Sequence, residues 1–185
     1  MHKRSNKNRS LLILAIPAFV VFLALSVGAT FLNYGYVGVD GCKMCHRSEA
    51  KGNQAGKWEE TLHSSAWETL ASEKAKEYGQ ELGISNPQTA DECLVCHVTG
   101  YEATDEQKAR TYKVEDGVGC ESCHGPGSAY KAIPIMRDHE KSIENGLIIP
   151  NEETCKTCHN EKSPGFKGFN FDESLPKIAH PNPQK

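Results

Sequence analysis

The chain has 185 residues and a mass of 20.4 kDa, room for one domain or one domain with an appendage. Lys and Arg number 21 against 24 Asp and Glu, a net charge of −3, which argues against a generic nucleic-acid binder. Apolar residues make up 38% and aromatic ones 8%, thin for a self-sufficient core, and part of that share sits in one N-terminal run.

Residues 1–10 carry Lys3, Arg4, Lys7 and Arg9 and no acid. Leu11 to Leu32 then runs without a charge. At 1.5 Å per residue such a run reaches roughly 33 Å, enough to span a hydrocarbon core. A basic start before a long apolar run is an export signal. Residues 1–10 are therefore expected to be a cytoplasmic tail and 11–32 a retained transmembrane anchor, with everything after about Tyr34 in the periplasm. Cleavage near Val27-Gly28-Ala29, leaving a soluble periplasmic protein, is the alternative. Pro17 kinks such a helix without preventing a span. Without the four N-terminal cations, 17 basic residues face 24 acidic ones in the exported part, a net −7 that favours a partner with a basic patch.

Residues 33–40 are expected to be a linker, and 41–185 the exported domain. The first motif, Cys42-Lys43-Met44-Cys45-His46, opens it. The clearest predicted helix runs from about Lys57 to Leu82, with Trp58, Leu62, Ala66 and Leu70 at four-residue steps and His63 and Trp67 on a neighbouring stripe. Cys93-Leu94-Val95-Cys96-His97 follows, then a short predicted helix at Asp105 to Arg110, then Cys120-Glu121-Ser122-Cys123-His124. Lys131 to Glu144 holds another predicted helix, interrupted by Pro134. Cys155-Lys156-Thr157-Cys158-His159 is the fourth motif. Gly and Pro punctuate the rest, and no alternating strand pattern stands out. The expected class is mostly α and loop-rich, a compact domain preceded by one N-terminal transmembrane helix.

The four motifs consume all eight cysteines, at first-Cys intervals of 51, 27 and 35 residues, which is no regular repeat. Cys-x-x-Cys-His is the attachment signature of c-type haem. The two thiols add to the porphyrin vinyl groups, and the next residue offers its imidazole to the iron from below. Zinc ribbons, a disulfide framework with 105 possible pairings of eight cysteines, and thiol redox centres compete. Ribbons and redox pairs have no need for His after every second Cys. At this chain's frequency of 8 His in 185, four such coincidences arise with probability on the order of 10⁻⁶. Four covalent haem c groups are therefore expected, serving as the core that the composition lacks. Each macrocycle has fewer than about 40 residues around it, as in small scaffolds that need covalent staples.

His46, His97, His124 and His159 are the expected proximal ligands. Of the other histidines, His2 lies before the membrane segment, which leaves His63, His139 and His180 for four irons. His63 sits beside Trp67 on an apolar helix side, His139 in the polar Arg137-Asp138-His139-Glu140, and His180 after Ile178 and Ala179. Either one iron lacks a distal His or another residue fills in. Met44 has poor reach, Met136 lies three residues from His139, and Lys or Tyr ligation stays open. The inventory favours one open or water-bound iron.

The stretch Gly117-Val118-Gly119-Cys120-Glu121-Ser122-Cys123-His124-Gly125-Pro126-Gly127, preceded by Cys93 to Tyr101, resembles the tetrahaem cytochrome c-554 family. Trp58 to His63, Asp138 to Ser142 and Phe171 to His180 match it more loosely, so the resemblance covers about Gly41 to His180. It implies an electron carrier of the kind that serves hydroxylamine oxidoreductase in ammonia oxidisers, with haems stacked in close pairs. It further implies three bis-histidine haems and a five-coordinate second haem, so that the His97 iron is open. By position, it assigns His139 to the His46 haem, His63 to the His124 haem and His180 to the His159 haem. This chain is shorter between the motifs and after the fourth, and its anchor points to a membrane quinol-linked partner.

The expected function is electron transfer between redox partner proteins by a periplasmic tetrahaem cytochrome on the inner membrane. The alternative is a haem-based oxidoreductase acting on nitric oxide, nitrite or hydroxylamine at the open iron, with Tyr101, Tyr112 and Lys113 as nearby proton donors. A sensor would need a signalling domain, which the ten-residue tail does not provide. No acid–base pair, nucleophile triad or phosphate loop adds another chemistry, and lone Asp and Glu residues are expected on the solvated surface.

Overall fold

The structure is a computed structural model that describes residues 34–180 and 182. The predicted tail at 1–10 and anchor at 11–32 lie outside those residues. Among the described residues, no helix is long and apolar enough to cross a membrane.

Short helices joined by turns build the domain. They are α1 (Gly38–His46), α2 (Gln54–Glu59), α3 (Ala66–Thr69), α4 (Glu73–Leu82) and α5 (Asp91–His97). The second half holds α6 (Cys120–His124), α7 (Ile133–Met136), α8 (His139–Glu144), α9 (Glu152–Lys156) and α10 (Phe171–Ile178). Extended pairing among the described residues is limited to one isolated parallel bridge between Tyr36 and Lys108. The mostly helical, loop-rich expectation holds.

The long helix expected from Lys57 to Leu82 is instead three helices with turns between them. Hydroxyls break it. Thr61 Oγ1 donates to the Trp58 carbonyl and Ser64 Oγ to the Thr61 carbonyl, both at 2.8 Å. Such bonds compete with the helical ladder. Ser72 then caps α4 by accepting from the Ala75 N–H at 3.2 Å. The four-step stripe is split accordingly: Ala66 and Leu70 are buried, while Leu62 is 83% exposed. Pro134 does not interrupt a helix; it occupies the first turn of α7, where its missing N–H costs nothing. The break falls after it, where Asp138 accepts from the Lys141 N–H and starts α8. The predicted helix at Asp105 to Arg110 shortens to a 3₁₀ turn over Asp105–Gln107.

The expected linker at 33–40 is, over Tyr36 to Val39, part of the domain. Val37 and Val39 are 2% and 3% exposed. The reason is Glu121, expected with the other acids on the surface but buried in the structure. Its carboxylate accepts from the N–H groups of Val37 at 2.9 Å, Gly38 at 2.8 Å and Gly127 at 2.6 Å. A buried charge is tolerated because backbone donors surround it.

Apolar packing is sparse. Leu70, Leu94 and Val98 form one small cluster, with Trp67, Tyr101 and Tyr112 against it. Val37 and Tyr130 close around Gly127. Among the described residues, Ser142 has the largest side chain that is fully buried.

Candidate haem sites

The helical spacing puts the chemistry of each motif on one side. In a helix, the first Cys, the second Cys three residues on and the His four residues on share a face. α1, α5 and α6 each end on the motif's His. The fourth motif begins in α9 and continues as a turn, with the His159 N–H donating to the Cys155 carbonyl at 3.0 Å.

No two of the eight cysteines are joined to each other. The motifs meet in pairs. α1 packs on α6, and the Cys42 thiol bonds to Cys120. That bond and burial push Cys42 up, while accepting it lowers Cys120. Burial and the neighbouring Cys158, to which it is hydrogen-bonded, push Cys96 up to about 11. A cleft of about 300 Å³ lies beside this second pair, lined among others by Val95, Cys96, Ser122, Ile148, Thr157 and Cys158. Val95 and Ile148, which give it apolar lining, are 45% and 46% exposed.

Three of the four motif imidazoles are oriented from behind. His97 Nδ1 lies 2.7 Å from the Ala66 carbonyl, His124 Nδ1 3.1 Å from the Ile148 carbonyl and His46 Nδ1 3.3 Å from Gln54 Oε1. A carbonyl can only accept, so Nδ1 carries the proton and Nε2 keeps its lone pair for a metal. His159 instead stacks on Phe169, ring centroids 5.0 Å apart. None of Gln54, Ala66 or Ile148 is marked in the sequence: two act through the backbone, and the third is one Gln among several.

Two of the three spare histidines face motif ones. The His63 and His159 rings are 6.0 Å apart, and the His124 and His180 rings 5.8 Å. An imidazole nitrogen bonds a transition metal at about 2.0 Å, so two rings on opposite sides of one ion have centroids about 6 Å apart. Burial, then His159, lowers the His63 pKa. Burial likewise leads in lowering His124 and His180. In all three the shift favours the neutral imidazole, the form that binds metals. These juxtapositions exchange two of the assignments implied by resemblance: His63 meets His159 rather than His124, and His180 meets His124 rather than His159. Position along the chain cannot reveal this, because it depends on where the turn around His63 docks, which is against Val118, just ahead of the third motif. Val118 N–H donates to the His63 carbonyl at 3.0 Å and Trp58 Nε1 to the Val118 carbonyl at 2.8 Å. His139 stands exposed at the first position of α8, outside both ring pairs.

The residues expected as proton donors near the second motif are engaged elsewhere. Tyr101 OH donates to Asp91 at 2.6 Å, Tyr112 OH to the Thr99 carbonyl at 2.7 Å, and Lys113 pairs with Asp40 at 2.6 Å.

Zinc would gather several of these ligands on one ion, and no group of three or more His, Cys, Asp or Glu is so placed among the described residues. A porphyrin needs a thiol pair on one helix face, an imidazole below it and an apolar wall, and these are present. The class is that of the multihaem c-type cytochromes. Comparison with known proteins agrees. The family described as cytochrome c554 and c-prime matches residues 41–125. The cytochrome c-554 of Nitrosomonas europaea is 31% identical over 148 residues, 69% of this chain and 59% of that protein. The chain thus spans under two thirds of that relative's length. No solved structure matches. The chain belongs to the cytochrome c-554 family.

Proposed function

We propose that the protein is a tetrahaem electron carrier of the periplasm, held on the inner membrane by an anchor over residues 11–32. It passes electrons between redox partner proteins, one of them a membrane quinol-linked complex. Haem c supplies one-electron exchange at iron. The chain's own residues hold, space and ligate the groups. The observation that carries this reading is the pairwise approach of the motifs, Cys42 with Cys120 and Cys96 with Cys158, which gathers the attachment points into one body.

In this reading Cys42, Cys45, Cys93, Cys96, Cys120, Cys123, Cys155 and Cys158 form the thioethers. His46, His97, His124 and His159 are proximal. The ring separations support His63 on the His159 iron and His180 on the His124 iron. Count and resemblance give His139 to the His46 iron and leave the His97 iron five-coordinate. The other reading, turnover of a small nitrogen compound at that iron, needs a free proton donor, and the engagements of Tyr101, Tyr112 and Lys113 favour a carrier.

Intact mass of the mature protein should show four added haems and whether residues 1–32 are retained. Carbon monoxide should bind one haem in four. His63→Ala and His180→Ala should each turn one further haem high-spin. A mass without porphyrin, or unchanged spectra in both variants, would overturn the reading.

A further inference from the structure

The acceptor behind His46 differs in kind from those behind His97 and His124, which are backbone carbonyls and so indifferent to side-chain identity. Gln54 is the first residue of α2, a helix capped by Asn53, whose side chain accepts from the Gly56 N–H at 3.2 Å. Its Nε2 donates to the Lys51 carbonyl. With that end of the amide engaged as donor, the oxygen is the end turned to His46. The position is braced on both sides. Lys43 and Arg47 of the α1 end both bind Glu59 of α2, the former at 2.9 Å, and Lys43 lies over the Trp58 ring at 5.2 Å. α1 and α2 therefore hold a fixed separation across the His46–Gln54 bond.

We infer that Gln54 is a positioning residue that sets the reduction potential of the haem attached at Cys42 and Cys45, by accepting the Nδ1 proton of His46. The inference rests on the tetrahaem reading. A stronger acceptor at Nδ1 makes Nε2 a better donor to iron, and a better donor favours the ferric state and lowers the potential. A neutral amide sits between a carboxylate and no acceptor at all. This potential is therefore adjustable by one side chain, whereas those of the His97 and His124 haems are tied to main-chain geometry.

The test compares the holoprotein with Gln54→Glu and Gln54→Leu by spectropotentiometric titration and by electron paramagnetic resonance of the low-spin ferric signals. One of the four midpoints should fall in Gln54→Glu and rise in Gln54→Leu. One low-spin signal should shift with it, and the other three midpoints should stay. A merely structural role moves both variants in the same direction or disturbs several haems, and either result overturns the inference. So does no shift in either. Should Gln54→Leu fail to accumulate with its haems, the near-isosteric Gln54→Glu decides alone by lowering the midpoint or not. Haem-peptide mapping separates the two failures. Porphyrin on Cys42 and Cys45 with no shift sinks the role of Gln54, and no porphyrin there sinks the tetrahaem reading itself.

Discussion

Glu121, inside the third Cys-x-x-Cys, is the residue on which the N-terminal edge of the domain depends. Three main-chain N–H groups converge on its carboxylate, and two of them belong to a segment more than eighty positions earlier. Each N–H stranded in a buried site costs about 1–3 kcal/mol. Glu121→Ala should therefore destabilise by at least about 3 kcal/mol. It should free residues 36–39 to rapid hydrogen exchange, while Glu121→Gln keeps an acceptor and loses less. Exchange at Val37 and Gly38 no faster than in the parent would refute this. Asp116 behaves oppositely. Burial, then repulsion from Asp40, raises its pKa above the ordinary 3.8 despite the Val39 N–H. A carboxyl whose pKa rises on folding favours the fold while protonated, and that benefit is lost as pH climbs through the raised value. Asp116→Asn keeps an acceptor for Val39 and removes the charge. It should match the parent in acid and exceed it in melting temperature at neutral pH.

At the scale of elements, the third motif and its glycines clamp the segment that carries His63. Gly117 has φ +63°, and a Cβ there would lie 2.9 Å from the His63 carbonyl oxygen. Thr99 reinforces the clamp, accepting from the Gly119 N–H at 2.7 Å and donating to the Gly117 carbonyl at 3.1 Å. Gly117→Ala should cost about 1–3 kcal/mol for the strained positive-φ backbone alone and push the His63 turn outward. The optical spectrum should then show a new high-spin fraction at the haem that His63 is proposed to serve. An unchanged spectrum with unchanged stability would argue against the clamp. The sequence pattern foretold apolar helix from Lys57 onward but not its division. Period counting does not register hydroxyls that bond back to carbonyls, and Thr61, Ser64 and Ser72 all bear on where helix stops or starts.

At the scale of the whole, the described residues have too little apolar interior of their own. Their core is a three-residue cluster and a patch around Gly127, while Met44, Leu62 and Ile133 stay 83%, 83% and 58% exposed. Binding energy of a covalently attached group then becomes folding energy, as in small metal-dependent domains. Protein produced without haem attachment should show no cooperative melt by circular dichroism. A near-native cooperative transition in that material would contradict the proposal that porphyrins complete the core.

What the chain alone determined is the chemistry that repeats: four thiol pairs with adjoining imidazoles, three spare histidines after residue 32, and a helical, turn-rich class. These are local, set by spacing within five residues, and local spacing is written directly in the order of residues. Which spare imidazole meets which motif, which carbonyl orients each ring and why a glutamate can be buried were decided by tertiary structure. Each depends on segments tens of residues apart arriving at one place, and that arrival is governed by packing and main-chain hydrogen bonds that leave no periodic trace in the sequence.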